Sequence, residues 1–382
     1  MEGIQEQIEK IQSEVERLDR RDYSKKLKLL EKLIEHYQSL EDIEAEFKCR
    51  MRAVYNACYS DIEKMFLHFS WVQTFYDAHI DEIKVSSKIR FFYLYKKVLE
   101  NAIGSEFITV DQIDELFMDL LDRAKNTEIE LSFDSYIKHL KSTTRTERGR
   151  LSPIYYAAWS VFASMGYKEK AQKYYDFWIE EHDLKGYALG PCSSCCIHQV
   201  IYEEYRELNF EKVIEEGEKL VNNDEIYRCG YVVPSSTYSL MCHASLSLGK
   251  YDEAKEYFEK ALQTIDSTSL EIICWYIYHD ELTLAVSEYE KYLGKYYKNI
   301  SSYKLTCFFI GYLLFSKVTT DKIKIFFPEE MEIFKANHEY EVEKLKSYFQ
   351  NNANELIKKF DERNQNNHLS NYYKQLETIY TS

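Results

Sequence analysis

Glycine and proline, the residues that tight chain reversals most often need, are rare in this sequence. Its 382 residues include 11 Gly and 4 Pro, whereas an all-β fold requires far more turn-forming residues. Lys, Glu, Leu and Ile are abundant instead, and these residues suit helices. The chain is also too long for one compact core. We therefore expect an all-α protein, built either as two domains or as one elongated helical array.

The charge balance narrows the range of partners. The chain has 49 Lys and Arg against 64 Asp and Glu, a net charge of -15. Such acidity disfavours binding to nucleic acids or anionic membranes and favours a basic or peptidic partner. No basic-then-apolar segment opens the sequence, and the longest apolar stretch, 307–315, is far shorter than the ~20 residues that span a bilayer. The nine cysteines are odd in number and unevenly spread, which is typical of a reducing compartment. We expect a cytoplasmic protein.

Residues 1–140 follow helical periodicity, so we expect an N-terminal helical bundle there. Apolar residues recur in steps of four and three on the first helix, at Ile4, Ile8, Ile11, Val15 and Leu18. Such a stripe suits packing within the chain or, alternatively, a coiled coil in a homodimer. A second helix is expected from about residue 24 to 47. Thr109, followed three residues later by Gln112, predicts a further helix start with a capping box. The polar window 141–150 is expected to be a linker.

Residues 151–300 contain repeats, and 235–266 form the clearest one. Gly249 stands at position 15 of this unit, Phe258 stands at position 24, and small residues occupy positions 8, 20 and 27, namely Cys242, Ala254 and Ala261. This pattern resembles the tetratricopeptide repeat (TPR). The resemblance implies antiparallel helix pairs that stack into an α-solenoid, with a turn at Gly249 and Phe258 filling the gap to the next hairpin. Weaker copies are centred on Ala171, Val213 and Ala285.

The remainder of the sequence, 301–382, is expected to form a C-terminal helical extension. Its apolar periodicity is again that of helices, and the segment 326–328 contains a proline that marks a break. The second half is rich in asparagine. We expect the last dozen residues to fray, as chain termini commonly do.

Two insertions between repeats carry a pattern typical of a metal site. The first contains Cys192, Cys195 and His198, and the second contains Cys229. Loops that join stacked hairpins lie along one edge, so the two insertions are expected to be neighbours. A Cys-x-x-Cys pair binds tetrahedral zinc together with two further ligands. We therefore predict a structural Zn²⁺ site formed by Cys192, Cys195, Cys229 and His198.

Alternatives to this zinc site remain open at this point. Cys196 or His182 can replace His198 as the fourth ligand, the thiols can simply be buried in the core, and a redox pair Cys195–Cys196 is a further interpretation. The insertions also resemble those of a group of bacterial TPR proteins with Cys-x-x-Cys and Cys-x-x-Val-Pro loops. The run Cys195–Cys196 departs from the pattern of that group, which leaves the identity of the ligands in doubt.

A stack of helical hairpins creates a concave groove lined by the first helix of each repeat. We predict that Tyr202, Tyr205 and His243 line this groove and contact the partner. An acidic rim around it would suit a basic peptide or a free N-terminal amine.

The sequence contains no Gly-rich phosphate loop, dinucleotide fingerprint, His-Glu-x-x-His motif or nucleophile elbow, so we predict that the protein is not an enzyme. The leading hypothesis is a protein- or peptide-binding TPR scaffold or regulator of the bacterial cytoplasm. A helical bundle before a TPR array also resembles, in outline, the quorum-peptide regulators of the Rap type, which implies a peptide-responsive switch. A hydrolase or redox enzyme that uses the Cys/His cluster is the third hypothesis.

Overall fold

The structure is a computed structural model that describes residues 2–19, 22–127, 151–181, 193–222, 233–264 and 269–381. Most of these residues are helical, which confirms the expected all-α class. The first eight helices are α1 (Glu2–Arg17), α2 (Tyr23–Ser39), α3 (Ile43–Ala57), α4 (Ile62–Ala78), α5 (Val85–Ala102), α6 (Val110–Asn126), α7 (Ser152–Ser164) and α8 (Lys168–Glu181). The later elements are α9 (Ser193–Arg206), α10 (Phe210–Val221), α11 (Ser235–Ser247), α12 (Tyr251–Thr264), α13 (Leu270–Tyr278), α14 (Leu282–Tyr296), α15 (Ser301–Lys317), β1 (Lys322–Lys324), β2 (Glu339–Glu341), α16 (Val342–Asn364) and α17 (His368–Thr381).

The described residues form two compact units, and the division between them falls within α7 and α8. The first unit comprises 2–19, 22–127, 151–161 and 173–181, and the second comprises 162–172 and the described residues from 193 onward. The predicted linker 141–150 and most of both cysteine-bearing insertions lie outside the described residues.

In the first unit, each helix from α1 to α6 packs against the next one along the chain. The core is aromatic. Phe69 packs edge-on against Tyr95 with ring centroids 4.7 Å apart, and Tyr76 stacks on Phe91 at 3.9 Å. Ring pairs of this kind add about 0.5–1.5 kcal/mol to the free energy gained by burying their area.

The apolar stripe of α1 packs within the chain. Ile8 and Val15 from this stripe are buried, and Gln12 Nε2 donates a 2.8 Å hydrogen bond to the hydroxyl of Tyr37 on α2. Of the two arrangements that the sequence left open for this stripe, the structure therefore contains the intramolecular one.

Capping residues decide where two helices of this unit begin. The single helix expected over 24–47 is wrong, because Glu41 has a left-handed φ of 55° and the Asp42 side chain caps α3 by accepting a backbone N–H of its first turn. The helix start expected at Thr109 is confirmed. Thr109 and Gln112 bond each other's backbone N–H groups in a capping box.

In the second unit, antiparallel helix pairs stack side by side as an α-solenoid. The pairs are α9–α10, α11–α12, α13–α14 and α15–α16. The first helices of these pairs, α9, α11, α13 and α15, also contact one another in that order, and we call them the inner row.

The clearest repeat has the geometry that its sequence predicts. Gly249 has a φ of 72° at the turn between α11 and α12, a conformation that glycine adopts without strain. Phe258 stacks on Trp275 of the next hairpin with centroids 4.7 Å apart. The small residues of the repeat are buried, namely Cys242, Ala254 and Ala261.

The C-terminal extension is not wholly helical. After α15, strands β1 and β2 form an antiparallel ribbon in which Ile323 lies opposite Tyr340. Helix α16 then packs against α15, and α17 contacts α13, α15 and α16. The break expected at 326–328 lies in the connection between the two strands.

Candidate functional site

Two of the four predicted zinc ligands, Cys195 and His198, lie near the start of α9, whereas Cys192 and Cys229 are outside the described residues. His198 Nδ1 is 3.0 Å from Thr237 Oγ1 on α11. Burial lowers the pKa of His198 to about 4, and a neutral imidazole is the form that binds metals. In the part of the chain that is described, no three His, Cys, Asp or Glu side chains form a metal-binding group. The zinc site therefore stays a prediction.

The three predicted groove residues lie together on the inner row. Tyr202 and Tyr205 belong to α9, and their rings stack with centroids 6.3 Å apart. His243 belongs to α11 and packs edge-on against Tyr205 at 5.1 Å. Tyr202 is half-buried, whereas Tyr205 is 1% exposed and His243 is 2% exposed. Something therefore covers the latter two side chains.

The covering element is α17 of the same chain. Tyr372 of α17 packs edge-on against Tyr205 with ring centroids 6.4 Å apart. Two helical turns further along α17, Tyr380 packs against His243 at 5.3 Å. The C-terminal helix thus crosses from α9 to α11 on the inner row, over the surface predicted to receive a partner.

The same helix also contacts α15. Tyr373 packs against Phe309 with centroids 4.6 Å apart, and the Tyr312 hydroxyl donates to the carboxylate of Glu377. Leu376 is 1% exposed between these contacts. Since burial of a leucine stabilises by roughly 1.5–3 kcal/mol, α17 is docked mainly by its apolar face.

A carboxylate on α16 fixes the start of α17. Asp361 Oδ1 accepts from the backbone N–H of Leu369 at 3.0 Å, and Oδ2 accepts from the N–H and the hydroxyl of Ser370. These N–H groups belong to the first turn of α17, which has no intrahelical acceptors for them. Asn366 Nδ2 also donates to the carbonyl of Met165 at 2.8 Å. The N-terminus of α17 is therefore held by a cap from a neighbouring helix.

Several polar atoms beneath α17 are left without partners. Neither ring nitrogen of His243 has a hydrogen-bond partner among the described residues, and the same is true of the Tyr205 hydroxyl. Burial lowers the pKa of His243 to about 3 and raises the pKa of Tyr205 well above its usual value. Each unpaired buried polar group costs about 1–3 kcal/mol. Helix α17 thus matches the apolar part of this surface and leaves its polar part unsatisfied.

Sequence reasoning missed α17 as part of the site. The expectation that the last dozen residues fray is wrong, because α17 continues to Thr381 and its apolar side chains are buried, namely Tyr372, Tyr373, Leu376 and Tyr380. Tyr372, Leu376 and Tyr380 recur every four residues, and Tyr373 lies three residues before Leu376. That is the periodicity of an amphipathic helix, and this pattern was the signal from which the sequence could have predicted that α17 packs on the chain.

Comparisons with known proteins add no family. No protein-family model, curated protein or solved structure matched this sequence. Within the described ranges, each helix is too short or too polar to cross a bilayer.

Proposed function

We propose that this protein is a TPR-like polypeptide-binding scaffold or regulator in the cytoplasm, and that its partner is a helical segment that docks on the inner row. One observation carries the proposal: the inner row already holds a helix, α17, across α9, α11 and α15. A surface that holds one amphipathic helix has the shape and the apolar character to hold another.

The anchors of α17 indicate the chemistry of such a partner. Tyr372, Leu376 and Tyr380 are four residues apart, so they lie on one face of the helix. A partner helix would present aromatic or aliphatic side chains at the same spacing. It would bind more tightly than α17 if it also offered hydrogen bonds to His243 and Tyr205.

The test supplies α17 in trans. A chain that ends at residue 365 is mixed with a fluorescently labelled peptide of residues 366–382, and binding is measured by fluorescence anisotropy. We expect saturable binding to the truncated chain and much weaker binding to the full-length chain, whose own α17 competes at high effective concentration. A peptide with Leu376→Asp serves as the matched control and should not bind.

Truncation can also unfold the second unit, so a second form of the experiment keeps the whole chain. A protease site inserted between α16 and α17 allows cleavage after folding, and unlabelled peptide is then tested for its ability to exchange with the cleaved helix. If neither form binds the peptide while circular dichroism reports intact helices, the inner row is a fixed core and the proposal fails.

A peptide-responsive switch is the second candidate, and the unpaired polar atoms of His243 and Tyr205 favour it. A ligand that satisfies these atoms would displace α17, which docks without satisfying them. Hydrogen exchange of the α17 backbone then reports the switch. Exchange should accelerate when the activating ligand binds, whereas a static scaffold would leave it unchanged.

A further inference from the structure

The first unit contains a cavity of about 630 Å³. Helices α4 and α6 both contribute to its lining, as do α5, which contacts each of them, and the loop between α5 and α6. This volume lies within the roughly 300–1,000 Å³ that is usual for binding sites. None of the described lining residues belongs to the inner row.

Much of the lining is apolar. Phe66 on α4, Tyr95 on α5 and Leu116 on α6 contribute to it. The loop adds Phe107, whose side chain is 75% exposed and whose backbone N–H donates to Ser105 Oγ at 3.3 Å. A ring this exposed beside a cavity leaves apolar surface that a bound ligand can cover.

The charged lining residues that the structure describes are all negative. Glu63 on α4 and Glu115 on α6 are exposed, and neither side chain forms an ion pair or hydrogen bond within the described chain. Asp119 is already engaged, since it accepts from the Tyr95 hydroxyl at 2.5 Å and from Arg123 Nε at 2.7 Å. Among the described residues, no Lys, Arg or His lines the cavity. Two uncommitted carboxylates, one from each wall, therefore accompany an aromatic surface.

We propose that this cavity binds a short basic segment of a polypeptide. Lys or Arg side chains of the segment pair with Glu63 and Glu115, and an apolar side chain between them packs against Phe107 and Leu116. Charge complementarity selects the basic residues, and the aromatic lining also favours cations through cation–π contacts.

The dimensions favour a peptide over a small organic cation. The α4 residues of the lining run from Ile62 to Gln73, a distance of about 16 Å at the rise of an α-helix. About five extended residues span that length. A monovalent cation carries one charge, so it would leave one of the two carboxylates unpaired.

The experiment uses the full-length chain and two pools of fluorescein-labelled pentapeptides. One pool has Lys or Arg at positions one and five and Phe, Leu, Ile or Tyr between them, and the other has Glu at the two ends. Anisotropy is measured up to about 1 mM, the weak end of specific affinity. We expect saturable binding of the basic pool alone, weakening as salt is raised.

A matched pair of variants locates the binding. The double variant Glu63→Gln, Glu115→Gln should bind the basic pool about tenfold more weakly. The control Glu9→Gln, Glu16→Gln removes the same charge from exposed positions of α1, which do not line the cavity, and should bind within about twofold of the parent chain. Because all four side chains are exposed, both variants should keep the parent melting temperature.

Three results would overturn the proposal. These are no saturable binding of the basic pool, equal binding of the acidic pool, and equal weakening by the two double variants. The last result would mean that the peptides respond only to the overall negative charge. None of these results depends on α17, so they leave the proposed function of the inner row untouched.

Discussion

The inner row of the second unit and the cavity of the first unit are both lined by aromatic side chains, but they differ in what covers them. On the inner row, α17 buries Tyr205 and His243, and burial alone shifts the pKa of His243. Beside the cavity, Phe107, Glu63 and Glu115 stay exposed. Aromatic composition therefore does not distinguish an interface from a core. What distinguishes them is whether another element of the chain covers the aromatic surface.

The largest expected difference comes from matched leucine truncations. Leu376→Ala, in the 1% exposed side chain of α17, should lower the free energy of unfolding by about 2–5 kcal/mol because it leaves a cavity under the docked helix. Leu67→Ala, in the 65% exposed side chain of α4, should change it by about 0.5 kcal/mol or less. Urea denaturation followed by circular dichroism measures both. Similar losses for the two variants would mean that α17 is not tightly docked.

The second contrast tests the cap of α17. Asp361→Ala removes the acceptor for two backbone N–H groups and should cost about 1–3 kcal/mol. The neighbouring Glu362 is exposed and pairs only loosely with Lys358, at 3.7 Å. Glu362→Ala should therefore change stability by about 0.5 kcal/mol or less. Faster hydrogen exchange in α17 should accompany the first variant and not the second. Equal hydrogen-exchange rates of α17 in the two variants would mean that the Asp361 cap contributes little to holding this helix.

The third contrast concerns pH. Burial lowers the folded-state pKa of His243 from 6.5 to about 3, so between these values the unfolded chain binds more protons. Stability is therefore full above pH 6.5 and falls on acidification, by about 1.4 kcal/mol per pH unit for this histidine. His198, with a pKa of about 4, acts in the same direction.

His243→Leu should accordingly reduce the slope of unfolding free energy against pH, between pH 6.5 and 4, by the contribution of one histidine, about 1.4 kcal/mol per pH unit. His79→Gln is the control, because it removes a histidine whose side chain is 39% exposed. An unaltered slope in the His243 variant would show that α17 does not keep this imidazole away from water.

Local signals predicted individual helices well. The capping box of Thr109 and Gln112 was legible because it needs only residues three apart, and Gly249 marked its turn because its backbone requires a positive φ. The break after α2 was missed because the apolar pattern of the sequence continues through it. The helix is interrupted there by the left-handed φ of Glu41 and by the cap that Asp42 provides for α3. The strands β1 and β2 were missed because they are three residues each, too short for a pattern of their own.

Tyr202, Tyr205 and His243, which the sequence assigned to a groove, contact one another on the inner row. Whether they contact a partner stays a prediction. The sequence did not predict that α17 covers them, although Tyr372, Leu376 and Tyr380 carry the spacing of an amphipathic helix.

The sequence by itself determined that this chain is helical, where most of its helices lie and which faces of them are apolar. Those properties depend on spacings of three and four residues and on the shortage of Gly and Pro. Only the tertiary structure decided which apolar faces meet. Tyr205 and Tyr372 are far apart in the chain, and their contact forms because burying both faces together removes more apolar surface from water than leaving either exposed.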